Sequence, residues 1–355
     1  MPPPSTPSIK LLPTGASLQQ FLLPLSTSST PINLVLSFPF PSSYRENPFY
    51  IGSTIGRYAN RIRHGHLPLP SDTHKLPTNN GPHTLHGGPT PWSSRDWSGP
   101  TYELTSDGIE AAVFTLHSAN GDNGFPGAVD AKARYAAVEV VGKGGRKEVR
   151  VEVEYEAYLT EGSETVVNMT NHSYFNLCPG KETTEGTKVK LASNMHIPLD
   201  STGVPLKGCD PQVYSVKSSG HGASNEEGGK LEFTLTEKAP VVDDYFIFSD
   251  VQPHAVPLDT RKLPLRECAR FYHHASRVHL VVETTEPGFQ FYTGDYLDLE
   301  VEDKKIGPRA GFCVEPGRWS DAAGREEWRE MVMLRKGDRW GSRIVYTAWE
   351  GEENE

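Results

Sequence analysis

Cysteine, positive charge and long apolar runs are all scarce in this chain of 355 residues. The four cysteines, Cys178, Cys209, Cys268 and Cys313, lie far apart with no C-x-x-C spacing. That argues against a zinc knuckle or a disulfide framework and leaves reduced thiols as the expectation. Lys and Arg number 35 against 45 Asp and Glu, for a formal net charge of −10. Nucleic acid and anionic membrane surfaces are therefore poor partners, since both are bound through clustered cations. No uncharged apolar stretch approaches the roughly 20 residues that cross a bilayer. The opening MPPPSTPSIKLLPTG has no basic segment followed by an apolar core, so the expectation is a soluble, cytoplasmic protein acting on a neutral small molecule. In that setting the two N-x-S/T matches at Asn168 and Asn171 carry no meaning.

Glycine (33) and proline (29) are abundant, and they cut the chain into short segments of alternating polarity. From 149 to 155, Val149, Val151, Val153 and Tyr155 alternate with Arg150, Glu152 and Glu154, the pattern of a strand with one buried and one wet face. The run 135–141 reads as its antiparallel partner, joined through the glycine-rich hairpin loop 142–146. Similar strands are expected at 188–191, 231–236, 245–249, 278–284, 289–292, 311–315 and 344–349. Only 321–334 has a composition suited to a helix, and the Ser- and Gly-rich stretch 215–230 reads as a surface loop. Many short strands separated by turn signals predict an all-β, antiparallel sandwich. With no repeat and no break in composition, residues 8–355 read as a single domain and residues 1–7 as a frayed terminus.

Chemistry-bearing residues gather in five segments. In GRYANRI (56–62), Asn60 and Arg61 place an amide beside a guanidinium, suited to gripping hydroxyls. NNGPHTLHGG (79–88) sets His86 ahead of two glycines that would let backbone approach a ligand. TNHSYFNL (170–177), taken as a strand, points His172, Tyr174 and Asn176 to one face. Asp243 and Asp244 precede an aromatic strand, and PGFQFYTG (287–294) contains Gln290. GFCVE (311–315) places Cys313 and Glu315 on one strand face, opposite Phe312 and Val314. Taken alone, each segment also fits a structural role: a solvated arginine, a satisfied histidine, a turn carboxylate or a rim glutamate. The histidines lack metal-ligand spacing, so no metal is expected.

Taken in order, these segments, together with Gly15-Ala16-Ser17, Trp97 and GDNGFPG (121–127), resemble the aldose 1-epimerase (galactose mutarotase) family over nearly the whole chain. The resemblance implies a large β-sandwich whose cleft binds one free hexose such as galactose or glucose, as a monomer or homodimer and without a cofactor. It implies that His172 protonates the ring oxygen while Glu315 takes the proton of the anomeric hydroxyl. Ring opening, rotation about C1–C2 and reclosure then exchange the α and β anomers, and the acid and base roles reverse on closing. Arg61, His86, Asp243 and Gln290, with Asn60 alongside, resemble the sugar-contacting residues. Pro316, Asp244 and Pro91 depart from the family pattern and bear on substrate preference more than on reaction type. A hexose-6-phosphate epimerase on the same fold would need cations at the cleft, for which Arg57, Arg61 and Arg63 are the candidates. A sugar-binding module without turnover is the reading from another class.

Overall fold

The computed structural model describes residues 8–215, 224–226, 229–301 and 304–353. Its framework is two antiparallel sheets, one of ten strands and one of six. The larger runs, in spatial order, Ser224–Glu226, Lys230–Thr234, Thr187–Leu191, Arg266–His273, Val278–Thr284, Arg339–Glu350, Lys147–Glu161, Ala128–Val141, Glu110–Ser118 and Ser98–Leu104. The smaller runs Tyr174–Phe175, Phe312–Gly317, Gly288–Tyr292, Asp243–Ile247, Met195–His196 and Gln212–Val213. Among the described residues no helix is long and apolar enough to cross a membrane.

Alternation decides which face of each sheet turns inward. Val149, Val151, Val153 and Tyr155 are buried while their neighbours Arg150, Glu152 and Glu154 are partly exposed, so the 149–155 reading holds inside a longer strand. On the six-stranded sheet Phe312, Val314, Phe289, Phe291 and Phe246 are fully buried and join the core formed with the larger sheet. The Phe271 ring of the larger sheet stacks on Phe312 at 4.3 Å between centroids and meets Phe291 at 6.0 Å. Burying such a side chain contributes about 1.5–3 kcal/mol. A one-residue slip would exchange this apolar set for Cys313, Glu315 and Gln290, which fixes the register firmly.

Most expected strands appear, with boundaries moved by a residue or two: 231–236 becomes Lys230–Thr234, 245–249 becomes Asp243–Ile247 and 311–315 becomes Phe312–Gly317. The helix-compatible stretch 321–334 instead holds two single 3-10 turns, Ala322–Gly324 and Arg329–Met331, and then a strand from Met333. Met331, Val332, Met333 and Leu334 are all buried in succession, a pattern that one face of a helix does not produce. Within 215–230, Ser224–Glu226 pairs with Lys230–Thr234 as the edge strand of the large sheet, which corrects the loop reading there. Residues 216–223 and 227–228 lie outside the described residues, as does the 1–7 terminus.

Candidate active site

The outward face of the six-stranded sheet carries the polar side chains. Register places Gln290 opposite Glu315, Tyr292 opposite Cys313, and Asp243 opposite Tyr292, so three neighbouring strands present Glu315, Gln290 and Asp243 side by side. Tyr174 pairs with Cys313 at the sheet's edge. Pro316 continues the strand opposite Phe289, the extended conformation its ring favours, and leaves Glu315 on the cleft side.

Two loops complete the cleft. His86 donates its backbone N–H to the Asn60 carbonyl (3.2 Å), while the Asn60 N–H donates to His86 Nδ1 (3.2 Å). Asn60, His86 and Tyr50 all hold positive φ (65°, 50° and 58°), a conformation that non-glycine residues adopt sparingly and that concentrates at functional sites. Gly87 (φ 89°) is a glycine for a reason within the fold. A Cβ there would sit 2.2 Å from the Gly56 carbonyl, so the glycine lets two loops touch. Arg61 Nε donates to Asn80 Oδ1 (3.1 Å), and Gly203 packs against its guanidinium.

His172 stands where the strand reading of 170–177 breaks, between Thr170–Asn171 and Tyr174–Phe175. Its N–H donates to the Ser53 carbonyl (2.9 Å) and its carbonyl accepts from Gly52 N–H (3.0 Å). Below it, Asn171 donates to the Gly52 carbonyl (3.1 Å) and to the Tyr135 hydroxyl (3.4 Å), and accepts from the Tyr346 hydroxyl (3.4 Å). Buried polar groups satisfied in this way rigidify the turn that presents the imidazole. Asn176 leaves the expected shared face and donates to the Ala310 carbonyl (3.0 Å).

The result is a cavity of about 270 Å³ walled by Tyr50, Arg61, His86, His172, Asp243 and Glu315, with Asn60 and Gln290 also lining it. All seven residues singled out by the resemblance therefore meet in one place. His172 Nε2 lies 3.4 Å from Glu315 Oε1, and both side chains are buried. A directed chain of hydrogen bonds runs across the floor: Ser320 Oγ donates to Asn60 Oδ1 (3.1 Å), Asn60 Nδ2 to Gln290 Oε1 (3.0 Å), and Gln290 Nε2 to Asp243 Oδ1 (2.7 Å). Asn60 Oδ1 also accepts the Arg61 N–H (2.7 Å), so this amide positions its neighbours. Tyr50 and Ser320 belong to the site although no spacing or pattern in the sequence singles them out.

Burial dominates the electrostatics. It raises the Glu315 carboxyl to about 8, with nearby Asp243 adding to the effect and Arg61 opposing it. It lowers His172 to about 4, against a smaller upward pull from a hydrogen bond to its own backbone. Burial also holds His86 well below its ordinary range, reinforced by His172 and Arg61. His86 is therefore neutral and, because Nδ1 accepts the Asn60 N–H, carries its proton on Nε2 as a donor. The ligand atoms of His86, His172 and Glu315 lie within 4.8 Å of one another. This nearness was not legible from spacing, but a ring whose Nδ1 is engaged and whose Nε2 is protonated offers no lone pair to a cation.

Other predicted features are structural. Arg57 is buried and donates to the Pro126 and Gly127 carbonyls and to Ser118, anchoring the GDNGFPG segment. Arg63 is held by Asp200 and the Pro205 carbonyl. Of the three arginines considered for a phosphate, only Arg61 lines the cleft. Asp244 faces His196 Nδ1 (3.2 Å), while Asp243 lines the cleft. Pro91 precedes the 3-10 turn that begins at the buried Trp92. A larger hollow of about 550 Å³ beside Arg63, His64 and Arg325 contains none of the seven site residues. Both sequon asparagines are buried.

Comparison with known proteins decides the family, because the aldose 1-epimerase pattern matches residues 4–347. The chain belongs to the aldose 1-epimerase family. It is 34% identical over 331 residues to the bifunctional protein gal10 of Schizosaccharomyces pombe, covering 91% of this chain but only 42% of that longer protein. It is 30% identical over 323 residues to the galactose mutarotase of Rattus norvegicus, covering 89% of this chain and 83% of the relative. The crystal structure of a GalM/aldose epimerase homologue from C. elegans superposes with a TM-score of 0.76 at 24% identity, covering 96% of this chain and 95% of that one. This likeness shows the galactose mutarotase-like fold that the aldose 1-epimerase resemblance implied.

Proposed function

We propose that this member of the aldose 1-epimerase family interconverts the α and β anomers of a free hexose, with His172 and Glu315 as the proton-transfer pair. The observation that carries the reading is the buried 3.4 Å approach of His172 Nε2 to Glu315 Oε1 within a cleft also lined by Arg61, His86 and Asp243. Ring opening needs one proton delivered to the ring oxygen and one removed from the anomeric hydroxyl, and the pair needs one mobile proton to do both.

The titration of the pair supplies that proton. Between about pH 4, where His172 protonates, and about pH 8, where Glu315 ionises, the two groups hold one proton between them. In the empty cleft it resides on Glu315. The carboxylate–imidazolium form that opens the ring has the same proton count and is reached by a transfer between the two side chains. Hydroxyl donors of a bound sugar favour the carboxylate and so draw the proton to His172. Opening the ring leaves Glu315 protonated and His172 neutral, and reclosure runs the same transfers backwards. Asp243, acceptor-only when ionised, Arg61 and the Nε2–H of His86 hold the hydroxyls in place. The same reading takes 8–355 as one domain, supported by a core shared between both sheets, and has it act in the cytoplasm as a monomer or homodimer.

A free sugar fits better than a sugar phosphate, because Arg57 and Arg63 are committed elsewhere. Polarimetry of fresh α-D-galactose and α-D-glucose tests the reading across pH. The expected result is accelerated mutarotation with a bell whose limbs lie near pH 4 and 8, and a rate equal to that of buffer alone would remove the proposal.

A further inference from the structure

His172 uses Nε2 toward Glu315, which leaves the question of what holds its other nitrogen. A carboxylate or a carbonyl is the usual partner for a working imidazole, fixing the tautomer and stabilising the cation. Here Nδ1 also lies 3.5 Å from Cys313 Sγ, a fully buried sulfur on the same strand face as Glu315. The Tyr174 hydroxyl is a second hydrogen-bond partner of that thiol, and its ring packs against His172 at 5.1 Å between centroids. The remaining groups around the imidazole are His86 (5.3 Å) and Tyr50 (5.7 Å), with Glu315 beyond Nε2 and Arg61 and Asp243 further along the cleft.

We infer that Cys313 is a positioning residue that accepts a hydrogen bond from His172 Nδ1–H, so that Nε2 alone exchanges protons with the substrate and Glu315. The direction follows from chemistry already on the page. Glu315 in its protonated form donates to Nε2, which must then present its lone pair, and the single proton of a neutral ring is left on Nδ1. The histidine's own carbonyl, within reach of Nδ1 but not of Nε2, is a second acceptor for that proton. The thiol is neutral because burial holds it well above its ordinary range, opposed in part by its hydrogen bond with Tyr174. A neutral sulfur is a weak acceptor. It holds the Nδ1 proton in place while doing little to stabilise the imidazolium, and so keeps His172 a strong acid toward a weakly basic ring oxygen.

This inference rests on the proposed mutarotase reading, and its test has one arm independent of turnover. Nitrogen-15 NMR of histidine-labelled full-length protein near pH 6 should show His172 with Nδ1 protonated and Nε2 bare. In Cys313→Ala, with Glu315 still donating to Nε2, the Nδ1 signal should shift as its proton loses the sulfur acceptor. In kinetics, Cys313→Ala should lower kcat roughly tenfold with KM little changed, the low end of what losing an imidazole's orienting partner costs. Cys313→Ser supplies a better acceptor of nearly the same size. It should restore most of kcat and move the acid limb of the pH profile upward, because the cation is better stabilised. An Nε2-protonated resting histidine in the folded wild type would overturn the inference. So would a folded Cys313→Ser protein with an unmoved acid limb. A wild type without mutarotation would sink the proposed function instead, and the NMR arm would still decide the tautomer.

Discussion

Two buried glutamates, Glu286 and Glu315, face opposite demands. Glu286 Oε1 is paired with the guanidinium of Arg318 and also accepts from Thr260 Oγ1 (2.8 Å), and both members of the ion pair are wholly buried. Arg318 spends its other donors on the Leu258 (2.9 Å) and Met331 (3.1 Å) carbonyls, and its backbone N–H on Asn168 Oδ1 (3.0 Å). Glu315, only three residues before that arginine, has no such grip. Its nearest basic group is an imidazole at 3.4 Å, and Arg61 opposes the effect of burial only in part. A carboxylate whose one oxygen is gripped by both a guanidinium and a hydroxyl ties loops together, although its Oε2 has no partner of its own. One left short of partners keeps a proton that is easily moved, which is what acid–base chemistry requires.

That contrast breaks most sharply in the functional pair. Glu315→Gln and His172→Asn should each lower kcat by roughly 10²–10⁴-fold while KM shifts far less, measured by polarimetry on protein whose fold is checked by circular dichroism. Near-normal turnover in either variant would remove that residue from the chemistry. At the structural pair the expected loss is in stability. Arg318→Met leaves Glu286 buried without its cation and should cost about 3–5 kcal/mol in urea unfolding, with KM for the sugar nearly unchanged in whatever remains folded.

A smaller effect sharpens the comparison from the other side. Because the folded Glu315 carboxyl is raised from 4.5 to about 8, the stability tied to its protonated form is complete below about pH 4.5 and is lost as pH rises through 8. Glutamine does not titrate. The Glu315→Gln protein should therefore match wild type near pH 4.5 and gain on it with rising pH, by something on the order of a few kcal/mol near pH 9 in denaturant titrations. A constant offset across pH would contradict the buried, proton-holding glutamate. The smallest expected effect is none: exhaustive EDTA treatment should leave the mutarotation rate unchanged. Loss of activity restored by a divalent ion would make His86, His172 and Glu315 ligands after all.

Much of this was legible before any coordinates. Period-2 alternation at 149–155 and 311–315 exposed the sandwich and the split between Phe312 and Val314 on one side and Cys313 and Glu315 on the other. The convergence of Arg61, His86, His172, Asp243, Gln290 and Glu315 was not in their spacing, because it depends on register between strands far apart in sequence, and only the family resemblance anticipated it. The stretch 321–334 misled because its composition favours a helix while four consecutive buried positions demand otherwise. The alternation of 170–177 puts His172 within a strand, yet Asn171 draws the chain into a turn through bonds to Gly52 and Tyr135 that no local pattern announces. Ser320 and Tyr50 carry no local signal because their roles come from partners elsewhere in the chain.

The chain of amides from Ser320 through Asn60 and Gln290 to Asp243 has a grammar of its own. Each amide receives at its oxygen and gives from its nitrogen, so the sequence reads in one direction only. An aspartate at position 60 would have nothing to give, and Gln290 would be free to rotate and turn its oxygen on Asp243. The residue altered and the residue disabled would then be different ones. Substitutions along this line are consequently epistatic, and the sugar-facing carboxylate is defined as much by its antecedents as by its own identity.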